Sequence, residues 1–259
     1  MLSAGGVEVH VAEAGEGSPI LFLHGNPDTH VVWNEVASRL VAHHRLIAPD
    51  LPGFGKSRAP DDFDVSLEGQ SRWVLALLDA LGLERVHLAI HDVGGVYGNA
   101  FTVEHPERVL TTTIFNHNFF PDYRWHFWGR VWRRRVLGEI AMAVATRPLF
   151  VNQMRKGSPG ITPELASAAY DAFHRDARRM VLRCYRAANP ERLRGWDERL
   201  QSLPLPKLVL WGDRDPYVSA ATGDRFGGEV HHYPDAGHWL MIDHPDEVAA
   251  HMRAHLAAL

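Results

Sequence analysis

The run Leu88-Ala89-Ile90-His91-Asp92-Val93-Gly94-Gly95 puts a carboxylate at the end of an apolar, partly β-branched stretch, Val86 to His91, that reads as a strand. The segment then turns through glycines and restarts as a helix, which is the strand-turn-helix setting of a nucleophile held on a tight turn. A carboxylate is ionised at pH 7 without help, and its natural target is an electrophilic sp³ carbon that carries a leaving group. The product is an ester between enzyme and substrate. Aspartate is also ordinary turn chemistry, hydrogen-bonding its own backbone, so the meaning of Asp92 depends on three other segments. Leu21-Phe22-Leu23-His24-Gly25-Asn26-Pro27 is an apolar strand entering a Gly/Pro turn, where backbone N–H groups can serve an oxyanion. Leu208-Val209-Leu210-Trp211-Gly212-Asp213-Arg214-Asp215-Pro216 is a strand followed by two aspartates. Asp235-Ala236-Gly237-His238-Trp239 sets a histidine in a loop before the last helix. Attacking carboxylate, second acid and water-activating histidine thus occur in that chain order, each at a strand end or in a loop.

The elements that must position these groups alternate. Val7 to Glu13 and Pro19 to His24 read as strands, Trp33 to Ala42 as a helix, and Arg45 to Ala48 as a buried strand ending at Pro49. Ser66 offers an N-cap to a helix with Trp73, Val74, Leu77, Leu78 and Leu81 on one face, closed at Gly82. Strand Val86 to His91, helix Gly94 to Glu104 and strand Val109 to Phe115 continue a βαβ pattern. From about 116 to 201 the strand signal stops, and helical stretches occupy Trp128 to Val144, Pro163 to His174, Arg178 to Ala187 and Glu191 to Leu200 before strands return at Lys207. The fold class expected is α/β: a mostly parallel sheet with helices on both faces, a first core part over 1–117, an inserted helical cap over 118–201, and a last core part over 202–259. The cap would lie over the sheet's C-terminal edge, where such folds bind ligands.

With these segments in order, the chain resembles the α/β-hydrolase superfamily from end to end, and within it the branch with an aspartate nucleophile, which holds epoxide hydrolases and haloalkane dehalogenases. His24-Gly25-Asn26-Pro27, Ile47-Ala48-Pro49-Asp50-Leu51-Pro52-Gly53-Phe54-Gly55 and Ile90-His91-Asp92 are similar to the dehalogenases, whereas Gly237-His238-Trp239 with Asp243-His244-Pro245 is similar to epoxide hydrolases. The resemblance implies Asp92 as nucleophile, His238 as base and Asp215, rather than Asp213, as the acid that orients it; Asn116 stands where some relatives carry that acid, and an amide supplies no charge. It implies an oxyanion hole from the N–H groups of Asn26 and Val93, and two tyrosines, Tyr123 and Tyr170, donating to an epoxide oxygen. Trp125, His126, Trp128 and Trp239 would line the substrate pocket. Dehalogenases place a tryptophan directly after the nucleophile to bind halide, and Val93 has no donor there. Haloacetate dehalogenases, similar around Trp125-His126-Phe127 and Cys184-Tyr185-Arg186, use arginines where Val93 and Val96 stand, which disfavours an anionic haloacid. The expected activity is therefore hydrolysis of an epoxide to a diol through an aspartyl ester, with haloalkane dehalogenation as the alternative and non-catalytic binding of a small ligand as the third reading. His238 must be neutral when it activates water, and the positive end of the helix near Gly94 favours ionised Asp92.

Composition narrows the partners. With 46% hydrophobic residues in 259, the chain can bury a sizeable core. A net charge of −4 favours neither nucleic acid nor an anionic membrane. The expected partners are a small apolar substrate and water, with a monomer and a homodimer both open. The start Met1-Leu2-Ser3-Ala4 has no basic and apolar leader pattern, no run of 18 apolar residues occurs, and Cys184 is the single cysteine, so a cytoplasmic location is expected. No cofactor is implied. Seventeen histidines invite a metal, but no His-Glu-x-x-His or cysteine pair occurs and none is expected. Arg130, Arg133, Arg134 and Arg135 read as the solvated face of a cap helix.

Overall fold

The computed structural model describes residues 1–258. β1 (Leu2–Ala4) and β2 (Val7–Val9) form an antiparallel hairpin apart from the main sheet. The strand expected over Val7 to Glu13 is therefore two strands: at His10 the backbone N–H leaves the ladder to donate to Ser57 Oγ at 2.9 Å, and β3 (Val11–Ala14) joins a different sheet. β4 (Ser18–Leu23) leads through a 3-10 turn, His30–Trp33, to α1 (Asn34–Leu40) and β5 (His44–Pro49). α2 (Leu67–Ala80) starts at Ser66, whose Oγ accepts the Gly69 N–H at 3.1 Å. β6 (Val86–His91), α3 (Asp92–Glu104) and β7 (Val109–Phe115) follow.

Between β7 and the next strand lie six helices: α4 (Phe127–Trp132), α5 (Leu137–Ala143), α6 (Arg147–Gly157), α7 (Pro163–Ala172), α8 (Arg175–Ala187) and α9 (Trp196–Ser202). The single helical stretch read over Trp128 to Val144 is broken at Val136, which has φ 69. α6 was not expected from the sequence, because its polar and basic residues hide the apolar spacing. β8 (Lys207–Gly212), β9 (Glu229–Tyr233), α10 (Leu240–Asp243) and α11 (Pro245–Ala257) complete the chain.

The seven-stranded sheet has the order β3-β5-β4-β6-β7-β8-β9, with only β3 antiparallel to its neighbour. Strand alternation divides the core into two layers. Leu21, Leu23, Leu88 and Ile90 pack with Trp73, Leu77 and Phe101 of α2 and α3, while Ile20, Phe22, Ala89 and Phe115 pack with Trp33, Val36 and Val248 on the other face. The chain passes from β4 outward to β5 and then returns to the opposite side of β4 as β6, so the order reverses between β4 and β6. A crevice forms outside the strand ends at such a reversal. Asn26 and Asp92 sit there.

Close approach of α3 to β4 makes that crevice. The Gly94 N–H donates to His24 O at 3.0 Å, and a Cβ on Gly94 would strike the backbone of Leu23 and His24. Gly94→Ala is expected to lower unfolding stability by about 1–3 kcal/mol, read as a lower denaturant midpoint; an unchanged midpoint contradicts this packing.

Candidate active site

Asp92 is the first residue of α3 and has φ 48, in the left-handed region that costs a non-glycine residue energy. Its carboxylate is held from two sides: Oδ1 accepts the Asn26 N–H at 2.7 Å, and Oδ2 lies 3.7 Å from His238 Nε2. A side chain on Gly25 would fall on the Asp92 carboxylate, so the β4 turn needs glycine there. Burial works against the charge on Asp92, but the rings of His238 and His91 and the Asn26 N–H outweigh it and hold the carboxyl well below the usual carboxylate range. The Val93 N–H lies in the first turn of α3, which leaves it without a helical acceptor and beside the same carboxylate.

His238 is fixed from three elements. Its Nδ1–H donates to Asp215 Oδ2 at 2.7 Å, its backbone N–H donates to Gly157 O at 2.8 Å, and its carbonyl accepts His91 Nε2–H at 3.0 Å. Burial opposes a charge on its ring, but Asp215 and Asp92 together push its pKa up to about 10. Asp215 is itself held by the N–H groups of Tyr217 (2.7 Å) and Val218 (3.1 Å) and by Asn116 Nδ2 (2.9 Å). Asp213 bonds His232 at 2.6 Å instead, away from this cluster. Asn116 thus occupies the expected alternative acid position but holds the acid in place, and also exchanges two hydrogen bonds with Gly212.

Two cavities meet at Asp92, His126, Tyr185 and Tyr217. One, about 350 Å³, is bordered by Val93, Tyr123, Trp125 and Asn118. The other, about 420 Å³, is bordered by Asn26, Trp128, His238, Trp239 and the apolar residues of α4 to α6. Trp125, His126, Trp128 and Trp239 therefore all line a cavity that Asp92 borders. Trp239 also donates its Nε1–H to the buried Asp28 carboxyl at 2.7 Å, and burial raises the Asp28 pKa to about 7. His126 caps α4 by accepting the Gly129 N–H on Nδ1, and burial lowers its pKa to about 4. Its ring is neutral, with the proton on Nε2.

The two tyrosines separate. Tyr123 lines the smaller cavity, where its hydroxyl donates to Tyr217 O at 3.1 Å. Tyr170 borders neither cavity, which corrects its expected role: its ring lies against Phe150 and between the guanidinium groups of Arg147 and Arg178, at 4.8 and 5.5 Å. The tyrosine that does face Asp92 is Tyr185 on α8, buried and adjacent to both cavities. Burial and then the Asp92 charge push its hydroxyl pKa well above the usual value, while the Asn26 side chain acts the other way. The sequence offers one signal for it: Tyr185 lies in the Cys184-Tyr185-Arg186 segment that resembles haloacetate dehalogenases, with nothing local to mark it as facing the sheet. Tyr217, packed edge-on against His238 at 4.9 Å, and His91 beneath that ring were also not singled out.

Two clusters gather three possible metal ligands each: His10, His30 and Asp50, and Glu229, His231 and His251. In the first, Asp50 already accepts from His30 Nδ1 and from the backbone N–H groups of His30 and Lys56. Neither cluster borders the cavities at Asp92.

A model of the alpha/beta hydrolase fold family matches residues 18–245, spanning every element that carries these groups. The chain belongs to the alpha/beta hydrolase family. Among its relatives, haloalkane dehalogenase 2 of Mycobacterium tuberculosis is 30% identical over 263 residues, covering 93% of this chain and 89% of that one. Cis-3-alkyl-4-alkyloxetan-2-one decarboxylase of Shewanella oneidensis is 28% identical over 97% of this chain and 86% of its own length. A haloalkane dehalogenase of Agrobacterium fabrum is 42% identical, but over 110 residues and 36% of its length. The fold of this hydrolase is shared with an epoxide hydrolase from Vigna radiata, with a TM-score of 0.85 at 18% identity over 99% of this chain and 96% of that one. No helix among the described residues is long and apolar enough to cross a membrane.

The raised His238 pKa has a measurable sign. Its folded-state value of about 10 exceeds the ordinary 6.5, so the stability it contributes is fully present below pH 6.5 and is lost as pH rises through about 10. Asp215→Asn is expected to cost about 3–5 kcal/mol at neutral pH, as removal of one buried partner does, and to flatten the alkaline loss. Denaturant unfolding across this pH range checks it; identical pH profiles for both proteins would refute the pairing.

Proposed function

We propose that this hydrolase opens an epoxide by attack of Asp92 and releases a diol after hydrolysis of the resulting ester. The observation that carries this reading is that Tyr123 and Tyr185 line one cavity with Asp92, and that burial and the carboxylate charge keep both phenols neutral and able to donate. An alkoxide leaving group needs such donors, whereas a halide does not need protonation. The Shewanella relative is named for a strained oxygen ring, an oxetan-2-one, which supports a carbon–oxygen bond as the one broken here.

In the first step an Asp92 oxygen forms a bond to a ring carbon while that carbon's bond to the epoxide oxygen breaks, with Tyr123 and Tyr185 donating to the oxygen that takes up the electron pair. Tyr123 exchanges its bond to the Tyr217 carbonyl for the epoxide oxygen. The free site holds His238 as an imidazolium between two carboxylates. Once Asp92 becomes an ester, one of these charges is gone and the ring holds its proton less strongly. That proton passes through solvent to the alkoxide, which leaves His238 neutral. His238, still aligned by Asp215, then takes a proton from water as the water attacks the Asp92 carbonyl carbon. The N–H groups of Asn26 and Val93 receive the oxyanion, and its collapse restores the carboxylate and frees the diol.

A specific observation supports a second reading, haloalkane dehalogenation. Trp125, whose buried Nε1 makes no hydrogen bond, is one of the residues around the cavity that Asp92 borders, and Asn26 lies beside Asp92, so this reading takes these two side chains as the halide donors without a tryptophan at position 93. The two readings separate by mutation. Tyr123→Phe with Tyr185→Phe should slow epoxide opening by roughly 10²–10⁴-fold and leave bromoalkane turnover nearly unchanged. Asn26→Ala with Trp125→Phe should do the reverse. Wild-type epoxide turnover in the double tyrosine variant rules out the preferred reading.

The ester itself is testable by mass spectrometry. His238→Gln should still alkylate and then stall, adding the full substrate mass to the Asp92 peptide; no adduct there, with a substrate that the wild type turns over, removes Asp92 as nucleophile. Because the Asp92 carboxylate is ionised well below neutrality, the alkylation burst should be flat from about pH 5 to about pH 9, whereas ester hydrolysis should rise with pH as His238 loses its proton.

A further inference from the structure

Single exposed apolar side chains are normal on a protein surface, but a contiguous group of them is not. Six of the eight large apolar residues exposed on the described surface lie between residues 127 and 149: Phe127, Val136, Leu137, Ile140, Val144 and Leu149. All but Val136 also line the larger cavity, so the group forms the rim of its apolar end. Val136 has φ 69 and ψ −54, and the Leu137 N–H donates to Arg135 O at 2.9 Å, which closes a three-residue turn of the rare, strained kind with positive φ. A β-branched residue suffers most in that conformation. The side chain it presents is 67% exposed to solvent, so no burial of Val136 offsets the strain.

The charge around this tip has one sign. Arg130, Arg134 and Arg135 are exposed and make no ion pair among the described residues. Residues 118–201 carry sixteen Arg and Lys against eight Asp and Glu, although the whole chain has a net charge of −4. Positive potential is thus concentrated on the helices that hold the apolar rim. A two-fold contact of this tip with a second copy would set its arginines against themselves.

We propose that the tip formed by α4, the Val136 turn and α5 docks on an anionic lipid surface, with the apolar residues entering the acyl boundary and the arginines meeting the headgroups. Substrate dissolved in lipid then reaches the apolar end of the larger cavity without crossing water. This surface revises the membrane-free expectation drawn from net charge alone, and it is independent of the leaving group at Asp92.

The test is sedimentation of the full chain with unilamellar vesicles of phosphatidylcholine containing phosphatidylglycerol, against vesicles of phosphatidylcholine alone. The protein should sediment with the anionic vesicles, less with the neutral ones, and less again as salt is added. Arg134→Gln with Arg135→Gln should weaken the association roughly thirtyfold. Val136→Asp should also weaken it while leaving the thermal midpoint unchanged or raised, because aspartate tolerates positive φ better than valine, and it should leave turnover of a short, water-soluble substrate unchanged. No sedimentation with the anionic vesicles, or equal sedimentation of the wild type and both variants, overturns the proposal. So does a concentration-dependent dimer that Val136→Asp dissociates, since a second copy would then be the occupant.

Discussion

Two carboxylates share one imidazole at the base of the cavities, and most of the surrounding structure serves to keep them apart and hydrogen-bonded. Asp215 is hydrogen-bonded to His238 at 2.7 Å while Asp92 stops at 3.7 Å, a gap that leaves the second carboxylate hydrogen-bonded to the Asn26 N–H and only ion-paired with the ring. A buried charge is stable only with its hydrogen-bonding capacity met. Asp215 meets it with Tyr217, Val218 and Asn116, and His238 with His91 and Gly157. Those partners come from the ends of β6, β7 and β8 and from α6, so the cluster is fixed only when the sheet and the helical insertion are both folded. Asp92 keeps its positive φ for the same reason: its place on the turn is set by contacts from several elements at once.

The same arrangement sets how strongly the imidazole holds its proton. An imidazolium between two carboxylates is a poor base, and one that has lost a neighbouring charge is a better one. In the proposed reaction that change would keep water inactive until there is an ester to hydrolyse. His126, neutral and fixed with its proton on Nε2, and the phenols of Tyr123 and Tyr185, kept protonated by burial, add only uncharged donors around the cavity.

How much of this could be read in advance followed the range of the forces involved. The parallel sheet, the segments around Asn26, Asp92, Asp215 and His238, and the all-helical insertion are written locally, in strand alternation and turn residues. What failed was decided by packing between distant helices. Tyr170 and Tyr185 both lie on helices of the insertion, and nothing local tells which one faces the sheet; the stacking of Tyr170 between Arg147 and Arg178 and the burial of Tyr185 against Trp125 and Trp132 decide it. Asn116 could be read as a missing acid but not as the donor that steadies Asp215. The break at Val136 falls on a β-branched residue and not on the nearby Gly138, and β9 carries two histidines where a buried strand would show apolar residues.

The insertion leaves the sheet after β7 and returns at β8, and these strands are hydrogen-bonded neighbours with Thr112 to Phe115 paired to Lys207 to Leu210. Because the two strands are parallel, the chain that leaves at the C-terminal end of β7 must cross the sheet to enter β8 at its N-terminal end, whatever length or shape of chain lies between them. Most of the cavity wall is drawn from that interval, whereas Asp92, Asp215 and His238 lie outside it. The residues that shape the cavity and the residues that form the charged cluster thus belong to separable stretches of one chain, and the first can change without shifting the register of the strands that hold the second.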